Sequence, residues 1–279
     1  MEFTTVALLL VAAFLHASWH ALVKSGSDQL TVLAGMGLVS SAMAAVALPF
    51  VAMPPVAAWL VLVVSVVLHV TYRLCLASAY RRSDLSQAFP LARGMIPLFA
   101  TAIAFLTLNQ VPSTGQWLCI GGISIGICFL AAEQLANRAN WQLVLAACGA
   151  GAAVAGYSVL DAYGTQIASD WAGFTAWLIL IDNATFLVLT RLIKGKDLWY
   201  GLIEIWSRVL VSGVIGVLSF SVYLWALSRN PVGATSALRE TSVMFAMVIG
   251  VMRYDEPFSL RRFFAAAIIV GGIITLVAI

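Results

Sequence analysis

The chain has 279 residues, of which 62% are hydrophobic and 10% charged, with a net charge of +3 and a mean hydropathy of +0.99. Soluble domains carry about 25% charged residues, so the composition excludes a soluble globular protein and fits a membrane protein of many spans. The few basic residues flank apolar runs, which excludes nucleic acid as a partner, and Cys75, Cys119, Cys128 and Cys148 lie at no metal-ligand spacing and read as packing residues.

A hydrocarbon core of about 30 Å takes about 20 helical residues per crossing, which leaves room for roughly ten spans and short loops. The first span is expected over 5–23. No basic leader precedes it and His16, Trp19 and His20 lie inside it, so it reads as a retained helix. A second span over 30–48 stops at Pro49, Pro54 and Pro55. The third, over 58–80, ends at the basic turn Arg81-Arg82. The fourth, over 85–106, contains Pro90 and Pro97, which remove backbone donors and are expected to kink it beside Arg93. The fifth covers 116–132, and a linker over 133–140 follows it.

The sixth span is expected over 141–161, the seventh over 171–192, the eighth over 205–227, the ninth over 232–252 and the tenth over 260–279. A shift of 146 residues lays Arg93 on Arg239, Phe99 on Phe245, Ile103 on Ile249, Ser113 on Ser259 and Gly126 on Gly272. The pattern reads as a duplication, 1–135 and 136–279, with one intramembrane arginine in each copy. A unit with five spans inserts its second copy upside down. The expected fold is therefore an all-α integral membrane protein of ten transmembrane helices in two inverted five-helix repeats. Lys24, Arg81, Arg82, Arg138, Arg191, Lys194, Lys196, Arg253, Arg261 and Arg262 fall on one side and only Arg229 on the other, so charge alone places both termini outside.

Polar residues inside the spans mark function, because a charge at mid-bilayer costs about 2.5–3.5 kcal/mol on insertion scales. On the third span His69, Tyr72, Arg73, Leu76 and Tyr80 form one helical stripe, and His16, Trp19 and His20 form a shorter one on the first. The eighth offers Arg208, Ser212, Ser219 and Tyr223. Arg73, Arg93 and Arg239 balance Asp161, Asp182 and Glu240, which permits internal ion pairs. Arg93 and Arg239 read as the anchors of an anionic group, assisted by His69 and Arg73, with Trp19, His20, Tyr72 and Tyr157 shaping the pocket. Structural bracing by the same arginines is the alternative. Asp182, Glu240 and Asp161 are candidates for coupling or gating, with Pro90 and Pro97 as hinges. His16 and His20, one turn apart, form a possible metal pair without a third ligand, so no metal is expected. Trp59, Trp141, Trp171 and Trp199 read as interfacial anchors.

The ten spans, the start Leu15-His16-Ala17-Ser18-Trp19-His20, and the paired endings Asn109-Gln110-Val111-Pro112 and Asp255-Glu256-Pro257 resemble the EamA-type drug/metabolite transporter superfamily. The resemblance covers essentially the whole chain. It implies a secondary transporter without a cofactor, integral to the plasma (bacterial inner) membrane, with a cavity walled by the first, third, fourth, sixth, eighth and ninth helices. Partners are then a small-molecule substrate, the lipid bilayer and protons, in a monomer or homodimer. Gln110 departs from the family's usual acid at that point, and the family's cytoplasmic termini oppose the charge count. The substrate expected here is an organic anion bearing a carboxylate, phosphate or phosphonate. An exporter of apolar or cationic drugs is the alternative within transport, and an intramembrane enzyme using His69, Asp182 and Ser212 the alternative outside it.

Overall fold

A computed structural model of the protein describes residues 1–81, 89–90, 92–136, 141–254 and 260–278. In chain order the helices are α1 (Phe3–Lys24), α2 (Gln29–Ala47), α3 (Val56–Tyr80), α4 (Ile96–Leu108), α5 (Thr114–Ala136), α6 (Trp141–Ile167), α7 (Trp171–Lys194), α8 (Asp197–Glu204), α9 (Trp206–Leu227), α10 (Val232–Arg239), α11 (Ser242–Tyr254) and α12 (Leu260–Ala278). No strand occurs among the described residues. Among the described residues, seven segments are long and apolar enough to cross a membrane: Phe3–Lys24, Gln29–Phe50, Val56–Tyr80, Trp141–Ile167, Trp171–Lys194, Trp206–Leu227 and Val232–Arg253. Ile96–Leu108, Thr114–Phe129 and Phe264–Ala278 are shorter apolar helices. Apolar runs adopt helices in lipid because only there does every backbone group find its partner within the segment.

Two of the expected spans are broken. In place of a kinked fourth helix, the chain turns at Gly94–Met95 and α4 starts afresh, with Pro97 in its first turn, where a missing N–H costs nothing. The expected ninth helix is interrupted at Glu240–Thr241, between α10 and α11, with neither glycine nor proline to announce it. Arg93 and Arg239 each stand directly before a break. The helix α8 is a further difference: it buries Leu198 and Leu202 and exposes Trp199, Tyr200 and Ile203, as an element lying along a membrane surface does. Arg82 and the residues after it to 88, the linker residues 137–140 and the Asp255-Glu256-Pro257 ending fall outside the described residues, as does the placement of the Arg138, Arg261 and Arg262 side chains.

The most extensive packing runs between the first five helices and the last seven: α3 along α6, then α1 along α9 and α2 along α7, then α5 along α12. Next come α2 with α9, α1 with α11, α4 with α10 and with α6, and α3 with α7. Exchange α1 with α6, α2 with α7, α3 with α9, α4 with α10–α11 and α5 with α12, and this set of neighbours is unchanged. Small residues bring the backbones together. At Gly151 of α6 a β-carbon would lie 2.7 Å from the Ala92 carbonyl, so α6 clamps the segment that carries Arg93. Ser219 of α9 donates to the Ala12 carbonyl of α1 at 2.7 Å.

The ends are tied by polar contacts. Asp170 caps α7, accepting from Ala172 N at 2.9 Å, and also accepts from Ala52 N at 3.1 Å. Gln110 accepts from Val232 N at 2.9 Å and so joins the end of α4 to the start of α10. At the opposite end of α7, Lys194 pairs with Asp28, which also accepts from Thr31 at 2.5 Å. Burial alone would raise the Asp28 carboxyl, but the Lys194 and Thr31 hydrogen bonds outweigh it and hold the group below the usual carboxylate range. A depressed carboxylate stabilises the fold above its unfolded pKa of about 3.9 and loses that contribution as pH falls through the lower folded value. The thermal midpoint of the wild type should therefore exceed that of Asp28→Asn near neutrality, with the gap closing below about pH 4. A constant gap across a pH titration in detergent would refute this role.

Candidate functional site

A cavity lies between α1, α2, α3, α6, α7, α9 and α10. Its wall is apolar and aromatic, with Trp19, Tyr72, Tyr157 and Phe220, and its polar lining includes His16, His69, Arg73, Asp182, Asn183 and Arg239. A small-molecule site has this build: a mostly apolar concavity with a few converging polar groups. The helical stripe on α3 supplies three of these residues, because His69, Tyr72 and Arg73 occupy one face.

The buried charges are distributed unequally. Arg73 is ion-paired with Asp182, donates to Asn183 Oδ1 at 3.1 Å and stacks over Phe186 at 4.8 Å. His69 meets Asp161 at 3.0 Å and stacks on Tyr157 with ring centroids 3.8 Å apart, while Ser65 donates to the other Asp161 oxygen. Arg93, only 1% exposed, bonds Glu240 at 3.0 Å and lies over Phe89. Arg239 has no acid partner among the described residues. Its guanidinium sits 4.0 Å above the Tyr223 ring, Nη2 reaches His16 Nδ1 at 3.3 Å, and Nε and Nη1 are buried with no partner. The ring beneath it is held by Ser158 at 3.1 Å and Ser236 at 3.0 Å, both on the Tyr223 hydroxyl.

At the cavity wall, where His16 lines the chamber and His20 lies behind it, the α1 histidines abut. His16 Nε2 and His20 Nε2 are 3.0 Å apart, Tyr72 OH lies 3.1 Å from His20 Nε2, and Tyr80 OH lies 2.6 Å from His20 Nδ1. Trp19 donates to His16 Nδ1 at 3.2 Å, and Arg93 contacts His16 Nε2. Two guanidiniums face this pair, a setting that disfavours a divalent cation.

Of the residues expected in the site, Trp19, His69, Tyr72, Arg73, Tyr157, Asp182 and Arg239 line the cavity. Arg93, His20, Glu240 and Asp161 lie behind its wall; Pro90 and Pro97 flank the break after Arg93. Arg93 and Arg239 are thus not equivalent, despite their equivalent places in the repeat. Sequence reading passed over His16 as a lining residue, although its spacing to Trp19 and His20 carried the signal. Ser65, Phe186 and Phe220 had none, since each is an ordinary residue of an apolar run.

Broken helices around a polar chamber, within a bundle of long apolar helices, make this a multi-pass membrane protein with an internal cavity. The chain belongs to the EamA-like transporter family, whose model matches residues 3–132 and again 141–278. Family members are membrane transporters of the drug/metabolite type. No curated protein matches the chain. Among solved structures, one described as "Crystal structure of protein" is similar over 100% of this chain and 99% of its own, with a TM-score of 0.73 and 15% identity, a likeness of fold.

Proposed function

We propose that the protein is a secondary transporter that carries a small organic anion across the plasma membrane by alternating access, with the anionic group held at Arg239. The carrying observation is the pair of buried, unpartnered guanidinium nitrogens on a cavity-lining arginine. A buried charge is retained when something pairs with it, and Arg73 and Arg93 already face Asp182 and Glu240. An incoming carboxylate, phosphate or phosphonate completes the site, since a guanidinium offers a planar two-pronged donor to such oxygens. Arg93 serves this site from behind, by fixing Glu240 and the two helix breaks.

The motion proposed is a rocking of two inverted five-helix repeats, 1–135 and 136–279, in a ten-span plan. The neighbour set that survives exchange of the halves supports a two-fold relation between them. The Asp182 oxygen Oδ1, buried and without a partner, favours a second reading, in which a cationic solute enters the same cavity.

Thermal stabilisation separates the two. Acetate, inorganic phosphate, methylphosphonate and tetraphenylphosphonium would each be titrated against the purified protein. A ligand at 100 times its Kd stabilises the folded state by about 2.7 kcal/mol. Stabilisation by the anions is the expected result. A response confined to tetraphenylphosphonium would replace the anion reading with the cation one.

A further inference from the structure

Resting on the anion reading above, we infer that His69, held by Asp161, is the site of a proton that binds together with the anion. Asp161 of α6 is 0% exposed and pairs with no arginine or lysine among the described residues. Its Oδ2 meets His69 Nε2 at 3.0 Å, and its Oδ1 accepts from Ser65. A carboxylate only accepts, so it fixes the proton of the neutral imidazole on Nε2 and leaves Nδ1 as the basic nitrogen. Nδ1 has no hydrogen-bond partner among the described residues, and it is not one of the sealed, unpartnered polar atoms of the interior. His69 lines the cavity, where this lone pair can take a proton from water. The ring is fixed in place, flat on Tyr157 at 3.8 Å and edge-on to Phe220 at 5.3 Å between centroids.

The buried charges show why proton and anion go together. Arg73 offsets Asp182 and Arg93 offsets Glu240, which leaves Arg239 without an acid and Asp161 without a cation among the described residues. The empty site thus holds two opposite charges, neither with a counter-ion in contact. An anion on Arg239 alone leaves one negative charge in excess, and a proton on His69 alone leaves one positive. With both bound, the ligand pairs with Arg239 and the imidazolium with Asp161. Buried charges favour such pairing, so each guest strengthens the binding of the other, and by linkage to the same extent. The groups around the ring are Ser65 and Arg73 from α3, Tyr157 and Asp161 from α6, Phe220 from α9 and Arg239 from α10. Beyond them, Asp182 of α7 holds Arg73, Tyr72 of α3 packs on Tyr157, and His16 of α1 shares the cavity wall. The Arg239 charge opposes a proton on the ring until an anion offsets it.

In the transfer one O–H bond of hydronium breaks in the cavity and one N–H bond forms at Nδ1; the reverse returns the proton to water when the chamber opens to the other face. No other reactant is consumed. Protonating Asp182 or Glu240 instead would strand the buried guanidinium of Arg73 or Arg93. At His69 the added proton creates an ion pair and breaks none.

The test is calorimetric and thermal titration of the purified full chain with acetate, inorganic phosphate and methylphosphonate from about pH 5 to pH 8, where histidine changes charge. Run in two buffers of different ionisation enthalpy, the wild type should take up about one proton per anion beyond the anion's own titration. Its affinity should accordingly fall as pH rises, by up to about tenfold per unit relative to His69→Gln, a ratio in which the anion's ionisation cancels. His69→Gln keeps a donor to Asp161 and removes the basic nitrogen, whereas Asp161→Asn removes the charge that the imidazolium pairs with. Both should bind the anion with no pH dependence beyond the anion's own. The wild-type proton count stands whether or not a variant folds. Anion binding by the wild type with no extra proton, or the same extra proton in either folded variant, overturns the proton site and leaves the anion reading intact. No response to any of the three anions at any pH removes the anion reading and the coupled proton with it.

Discussion

Arg239→Gln should abolish stabilisation by small anions while leaving the amount of folded protein close to wild type. Its guanidinium contributes no ion pair to the resting structure, so its removal strands no acid. What is lost is the charged donor for the ligand, an interaction that typically contributes about 2–5 kcal/mol, so its loss weakens binding by about 300-fold at mid-range. Arg239→Lys keeps the charge but not the planar fork, and should fall between the two. The cation position over Tyr223 also predicts a milder loss in Tyr223→Leu, because Ser158 and Ser236 hold that ring under the guanidinium. Anion titration of each variant by thermal midpoint provides the check. Undiminished binding in Arg239→Gln would leave the clamp without its central residue.

Arg93→Ala should behave in the opposite way, losing stability before it loses binding. The Arg93–Glu240 pair is buried on both sides, and removing one partner leaves an unpaired charge, at about 3–5 kcal/mol. Glu240→Ala should cost a similar amount. Arg93→Leu combined with Glu240→Leu should be less harmful than the sum of the single changes, since no charge remains buried, and a double-mutant cycle in denaturant measures the difference. Additive losses in that cycle would show that the two residues act independently. The contrast with Arg239 is the sharpest consequence of the proposal: of two arginines in matching positions of a duplicated chain, one is paired with an acid and the other has no acid partner among the described residues.

The class of protein was legible from composition, and most helices from the length of apolar runs, because lipid demands long uninterrupted stretches with internally bonded backbone. Seven segments meet that demand directly. The stripe His69, Tyr72, Arg73 and the deep Asp182 and Arg239 line the cavity, since a polar side chain in an apolar run must face protein. The breaks were less legible. Pro90 and Pro97 announced a disturbance near Arg93 but not its form, and Glu240–Thr241 carries no breaker, so its turn depends on what packs around it.

What the sequence determined by itself was thus the membrane-spanning helical plan, the duplication, and the set of residues too polar for lipid. Only the tertiary structure decided which charge meets which. Three arginines and three acids permit many pairings, and Asp161 went to a histidine and a serine, leaving one arginine over. The reason is physical: pairing depends on distances between helices far apart in the chain, set by close packing at positions such as Gly151, and on angles that no single helix contains. Periodicity tells which face a residue occupies; the neighbour across that face comes from the assembled bundle.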